Sequence, residues 1–233
     1  MAFYLIGLGL NKNSLTAEAL EILKTCDKIY LENYTVDFPY KIEELNLNKK
    51  ITPLNRTAIE GEQFLQEAKN QNIALLVYGD ALSATTHIQL ILECKKQKIE
   101  YQILHNTSIL TAVAECGLQL YKFGKTTSIP NWKEHTNKPK SFTNVIKENQ
   151  SIKAHTLLLT DIGLNSKDAI NQLEELIELK QKIIIISNAG TEKQKFFYDT
   201  LKKLKNKNIA MPFCIIIPSD LHFMEEEALE MLR

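Results

Sequence analysis

A chain of 233 residues, 44% hydrophobic and 24% charged, can bury a proper core as one large domain or two small ones. Its 28 basic and 28 acidic side chains cancel, so no whole-molecule charge draws it to nucleic acid or to an anionic membrane. The first residues lack the basic segment of a signal peptide, and no apolar run approaches the ~20 residues of a membrane span.

In chain order, Phe3 to Ile6 reads as a short buried strand that runs into Gly7-Leu8-Gly9-Leu10. After Ser14, read as an N-cap, Leu15, Ala19, Ile22, Leu23 and Cys26 trace one face of a helix. Lys28 to Glu32 is strand-like and Ile51 to Leu54 weakly so; Phe64, Leu65 and Ala68 suggest a helix. Ile73 to Tyr78 is a continuous apolar strand that stops at Gly79-Asp80. A helix from Thr86 to Lys96 and a strand from Tyr101 to Leu104 follow. This alternation predicts a parallel α/β sheet covered on both faces.

The second half repeats the theme less cleanly. Tyr121 to Pro139 is rich in Gly, Pro, Thr and Asn and reads as irregular. Strands are expected at Thr156 to Thr160, Ile183 to Ile186 and Phe213 to Ile217. Helices are expected around Ala169 to Leu179 and from Lys193 to Lys205, the latter with Phe196, Phe197, Leu201 and Leu204 as its stripe. An acidic helix ends the chain, with Glu225 to Glu227 read as its solvated face. The expected organisation is an N-terminal α/β domain, 1–108, and a C-terminal α/β domain, 109–233.

Ligands of open α/β sheets bind at the carboxyl ends of the strands. Three segments fall there: residues 7–10, residues 79–87 and His105-Asn106-Thr107-Ser108-Ile109. The first is not a dinucleotide fingerprint, because Lys12 stands where GxGxxG needs its third glycine. The second places the Asp80 carboxylate and the hydroxyls of Ser83, Thr85 and Thr86 at the mouth of a buried strand. His87, at a helix start, reads as a hydrogen-bonded structural group rather than a proton acceptor. Cys26, Cys94, Cys116 and Cys214 lie far apart with no histidine at ligand spacing, which predicts free thiols in a reduced, cytoplasmic protein and no metal site.

The stretches YLIGLGL (4–10), YGDALSATTH (78–87), ILHNTSI (103–109), CGLQLYKFGK (116–125), FTNVIKEN (142–149) and HTLLLTDI (155–162) resemble the diphthine synthase family of the tetrapyrrole-methylase-like class. The combination of GDxxxATTH and GLxxYKFG is specific to that family. The resemblance implies a homodimer of two α/β domains with S-adenosylmethionine held in the cleft between them. Its implied contacts are Leu10, Asp80, Ser83, Ser108, Ile109, Thr160, Ala189 and Phe213. Ser83, Thr160 and Phe213 depart from the residues relatives commonly carry there. The implied substrate is a histidine of translation elongation factor 2 that already bears a 3-amino-3-carboxypropyl group, whose amine is methylated in succession. Such an amine has an ordinary pKa near ~8, so a neutral fraction exists around pH 7 without a dedicated strong base. No membrane or direct nucleic-acid partner is implied. Lys122 and Lys125 of the YKFGK stretch are expected to attract the acceptor's carboxylate and acidic surface. The alternatives are a methyltransferase of the same class acting on a corrin or ribosomal RNA, and a non-catalytic cofactor-binding paralogue.

Overall fold

The computed structural model describes residues 1–176 and 182–232, which fall into two compact units, Met1–Leu110 and Thr111–Arg233. In the first, strands β1 (Phe3–Gly7), β2 (Lys28–Glu32), β3 (Ile51–Leu54), β4 (Ile73–Val77) and β5 (Tyr101–Leu104) alternate with helices α1 (Ala17–Thr25), α2 (Arg56–Glu60) and α3 (Ile88–Gln97). The sheet order is β3-β2-β4-β1-β5, and every pairing is parallel.

The apolar strands follow from burial on both faces, since successive side chains point to opposite sides. Phe3, Leu5, Ile73, Leu75 and Val77 pack on one side with Phe64, Leu65, Leu90, Ile91 and Cys94. Ile6, Leu8, Ala74 and Leu76 pack on the other with Ala19, Leu23 and Cys26. Two local expectations change. The N-cap of α1 is Thr16, whose side chain accepts from the Ala19 amide at 3.1 Å. Ser14 instead closes the preceding turn, its Oγ accepting from the Asn11 amide at 3.4 Å. The segment around Phe64 and Ala68 is a 3₁₀ helix, Gln63–Lys69.

After α4 (Ile109–Ala112), the second unit contains β6 (Thr127–Ile129), α5 (Phe142–Ser151), β7 (Thr156–Thr160), α6 (Ser166–Leu176), β8 (Ile183–Ser187), β9 (Lys195–Asp199), α7 (Leu201–Leu204), β10 (Phe213–Ile217) and α8 (Phe223–Met231). The order is β6-β7-β10-β8-β9, and this sheet is mixed: β6 and β7 are parallel, the other pairs antiparallel. The helix expected from Lys193 to Lys205 is therefore a strand followed by a single helical turn. Tyr198, Phe197 and Phe196 pair with Ile184, Ile185 and Ile186, and such aromatic–β-branched pairs favour the strand. β6 lies inside the stretch expected to be irregular. The expected end of α6 at Leu179 lies outside the described residues.

One core fills this unit, built from Ile129, Phe142, Ile146, Leu158, Ile170, Leu173, Ile185 and Ile215 among others. All four cysteines are buried free thiols. Among the described residues, no helix is long and apolar enough to cross a membrane.

Candidate functional site

In the first unit three strand ends are tied to one another. Past β1 and β4 the chains pair once more through glycines: the Gly9 amide donates to Gly79 O at 2.9 Å and the Gly79 amide to Gly9 O at 3.0 Å. Both have positive φ, 70° and 76°, a conformation glycine adopts without steric cost. The Tyr78 hydroxyl donates to Leu10 O at 3.1 Å and holds the first loop over the second.

Asp80 organises the rest. Its Oδ1 accepts from the Leu82 amide at 3.0 Å and the Ser83 hydroxyl at 3.2 Å. Oδ2 accepts from the Asn106 amide at 3.0 Å and lies 2.8 Å from His105 Nδ1. Burial opposes ionisation here, but the hydrogen bonds from Leu82, Asn106 and His105 outweigh it and hold the carboxyl below its ordinary range. Asn106, which sequence reasoning passed over, knots the loops further: its Nδ2 donates to Gly7 O at 3.0 Å and Ser14 O at 2.8 Å. An amide side chain directly after a parallel strand was the available signal, since Asn readily bonds nearby backbone.

Thus Leu10, Asp80, Ser83, Ser108 and Ile109 all belong to one strand-end cluster. Leu10, Asp80 and Ser108 are buried, while Ser83 and Ile109 are half-buried. Ser108 Oγ accepts from the Leu110 amide at 3.1 Å. His87 is set apart beneath this cluster, 2% exposed. Its Nδ1 lies 3.3 Å from Ala81 O and its Nε2 3.2 Å from Glu32 Oε1, which makes it a structural group.

In the second unit the three expected contacts share one sheet edge. The Thr160 hydroxyl, ending β7, donates to the carbonyl of Phe213, which begins β10, at 3.0 Å. Ala189 follows Asn188, whose amide donates to Pro212 O at 2.8 Å. Phe213 is buried; Thr160 and Ala189 are half-buried.

Comparison with known proteins agrees with this architecture. The family described as Tetrapyrrole (Corrin/Porphyrin) Methylases matches residues 2–205. A Methanocaldococcus jannaschii protein named diphthine synthase is 42% identical, covering 98% of this chain and 97% of its own. A Schizosaccharomyces pombe protein named diphthine methyl ester synthase is 34% identical, with coverages of 97% and 93%. A crystal structure of diphthine synthase matches with a TM-score of 0.90 at 31% identity, covering 100% of this chain and 96% of that one.

The chain belongs to the diphthine synthase family.

It is therefore a methyltransferase with the tetrapyrrole methylase fold. The most family-like stretches of the second unit turn out to be architectural. Asn149, 1% exposed, accepts from the Lys125 amide at 3.0 Å and donates to Lys125 O at 2.8 Å and the Thr156 hydroxyl at 3.0 Å. Gly124 leaves room for that amide, since a Cβ there would collide with Asn149 and sit 3.1 Å from the Ala154 methyl.

One expectation fails at this end of the sheet. Glu225 is wholly buried. It accepts from the Gln119 amide at 2.8 Å, the His222 amide at 2.8 Å and Lys122 Nζ at 2.5 Å, and lies 3.1 Å from His155 Nε2. The apolar positions of α8 did not signal this, because three of the four donors arrive from remote segments. Lys122 also donates to Asp220 O at 2.7 Å, and Lys125 pairs with Glu148 at 2.5 Å. Lys122 is half-buried in this cluster, whereas Lys125 and Glu148 form an exposed surface pair. Their loop pairs with His155 at the start of β7, at the opposite edge from Thr160 and Phe213.

Proposed function

We propose that this enzyme uses S-adenosylmethionine to methylate, in succession, the amine of a 3-amino-3-carboxypropyl-histidine on translation elongation factor 2, the diphthine-forming step of diphthamide biosynthesis. The observation that carries the reading is full-length similarity to diphthine synthases together with a knotted strand-end cluster around Asp80. We further propose that it works in the cytoplasm as a homodimer without nucleic acid or membrane.

The residues suit this donor. Bound S-adenosylmethionine supplies a methyl group made electrophilic by a positive sulfur. Half-buried Ile109 offers apolar surface able to contribute up to roughly 1.5–3 kcal/mol when covered by a ligand, and Leu10, only 4% exposed, offers a preformed apolar wall. Asp80 supplies a fixed negative charge for a cationic ligand, and Ser83 and Ser108 supply small polar rims. Within the second unit, Thr160, Ala189 and Phe213 form a strand-end edge of half-buried and apolar character. Rate enhancement then comes mainly from alignment and exclusion of water.

Tritiated S-adenosylmethionine, incubated with elongation factor 2 bearing the aminocarboxypropyl-histidine, is expected to label the factor. Labelling of ribosomal RNA or a corrin instead, or of nothing, refutes the reading.

Asp80→Asn is a sharper probe of the cluster. The amide keeps one acceptor but turns an NH₂ toward the Asn106 amide or the Leu82 amide, and it loses the charge. Affinity for S-adenosylhomocysteine is expected to fall roughly ten- to hundredfold, the equivalent of one charged hydrogen bond of ~1.5–3 kcal/mol. Because Asp80 ties two loops together, a drop in melting temperature should accompany it. Calorimetry that finds an unchanged dissociation constant would remove Asp80 from the binding site.

A further inference from the structure

The third strand end carries a group that successive methylation can use. His105 follows β5 with its side chain 67% exposed, and its Nδ1 lies 2.8 Å from Oδ2 of the nearly buried Asp80. An ionised carboxylate only accepts hydrogen bonds, so Nδ1 must carry the proton. In the neutral ring that leaves the lone pair on Nε2, at the far side of an exposed imidazole. A buried carboxylate that fixes the tautomer of an imidazole in this way makes it a proton acceptor.

From this geometry we infer that His105 is the general base for the acceptor amine, with Asp80 as its positioning residue; the inference rests on the function proposed above. The proton balance gives such a group work to do. Each transfer forms a C–N bond as a C–S bond breaks, the bonding pair stays on sulfur, and the nitrogen becomes cationic. Before the next transfer that nitrogen must lose a proton to regain its lone pair. Starting from the ammonium, three transfers release three protons. His105 Nε2 takes each proton with its lone pair and passes it to solvent, to which the ring is open.

The other four histidines are placed differently. His87 and His155 are 2% and 0% exposed. Both nitrogens of His87 face Ala81 and Glu32. In His155, Nδ1 accepts from the Ser219 amide and Nε2 faces Glu225. His222 caps α8. His135 lies 3.8 Å from Asp161, beyond hydrogen-bond reach, so nothing there fixes its tautomer. Among the described residues Asp80 is the charged group paired with His105, and the cluster's other side chains, Ser83 and Asn106, are neutral.

The test compares wild type with His105→Gln on the factor substrate. Turnover should fall about 10²–10⁴-fold, the usual worth of a general base, while the dissociation constant for S-adenosylhomocysteine stays within about threefold. Added imidazole should restore part of the rate, and mass spectrometry should find under-methylated factor accumulating near neutral pH. A second readout needs no turnover: ¹⁵N ring resonances of the ligand-free protein should give His105 a protonated Nδ1 and a bare Nε2, and Asp80→Asn should mix the tautomers. Unchanged turnover and pH profile in His105→Gln overturn the inference. So does a loss of rate that imidazole fails to rescue and that comes with weakened binding, since that marks a structural role. If wild type itself leaves the factor unmethylated, it is the proposed function that fails.

Discussion

Replacing Glu225 by alanine is expected to destabilise the second unit by about 3–5 kcal/mol, the usual cost of removing one partner from a buried ion pair. The mutation removes the acceptor shared by four donors: two backbone amides, Gln119 and His222, the Lys122 ammonium and the His155 ring. Gln119 and Lys122 are half-buried and His155 is fully buried, and an unmet buried donor costs more than its bond contributed. Trp132, the chain's single tryptophan, lies in the same unit and reports its unfolding by fluorescence in a urea titration. Lys122→Met should cost less, since it removes a donor and keeps the stem that packs beside the cluster. A transition that Glu225→Ala leaves in place would return Glu225 to the solvated face first expected of it.

The same cluster makes the fold acid-sensitive, and the sign follows from the two shifts. Burial opposes ionisation of Glu225, but hydrogen bonds from His222, Lys122, Gln119 and His155 prevail and bring its pKa down to about 2. Its contribution is therefore present above the ordinary value near ~4.3 and lost as pH falls from there. His155 is also lowered, chiefly by burial, with Glu225 opposing and Lys122 adding to the shift. The unfolded chain takes up that proton first, so stability begins to fall below about pH 6.5.

Much of the first unit was legible because its strands are buried on both faces and its helices cover them locally. Ile73 to Val77 could hardly be anything else. The second unit was harder, since antiparallel partners such as β8 and β10 are set by pairings across long stretches of chain. The spacing of Phe196, Phe197, Leu201 and Leu204 suits a helix stripe, and only the isoleucines of β8 decide for a strand. The three strand-end segments were readable from topology, and the family resemblance supplied the individual candidate residues within them. Asn106 and His105 were not singled out, because their roles depend on Asp80, 25 or 26 residues away. Glu225 was misread for a related reason: a charge run says nothing about donors that converge on one of its members.

The second large effect is expected at Gly7. Its backbone φ is not positive, so an alanine there meets no conformational strain. Contact decides instead. A Cβ would stand 2.7 Å from Gly79 O, 3.1 Å from the Ala81 nitrogen and 3.1 Å from Asn106 Cβ, and the first two are backbone atoms that no rotamer change can move. The end of β1 must then part from the turn after β4, at a cost of about 1–3 kcal/mol for overpacking. The hydrogen bonds nearest the wedge are Leu8 N to Val77 O at 2.8 Å and the Gly9–Gly79 pair. Those bonds set the spacing between Leu10 and Asp80, so Gly7→Ala should weaken S-adenosylhomocysteine binding by roughly ten- to hundredfold, about 1.4 kcal/mol per decade. Gly163→Ala is the control: its φ of 73° brings strain, yet its Cβ meets only Glu134 Oε1 at 3.9 Å, in the other unit. It should lower stability through backbone strain rather than through overpacking. Should calorimetry find Gly7→Ala binding the ligand as wild type does, the knotted strand ends are scaffold and the cofactor lies elsewhere.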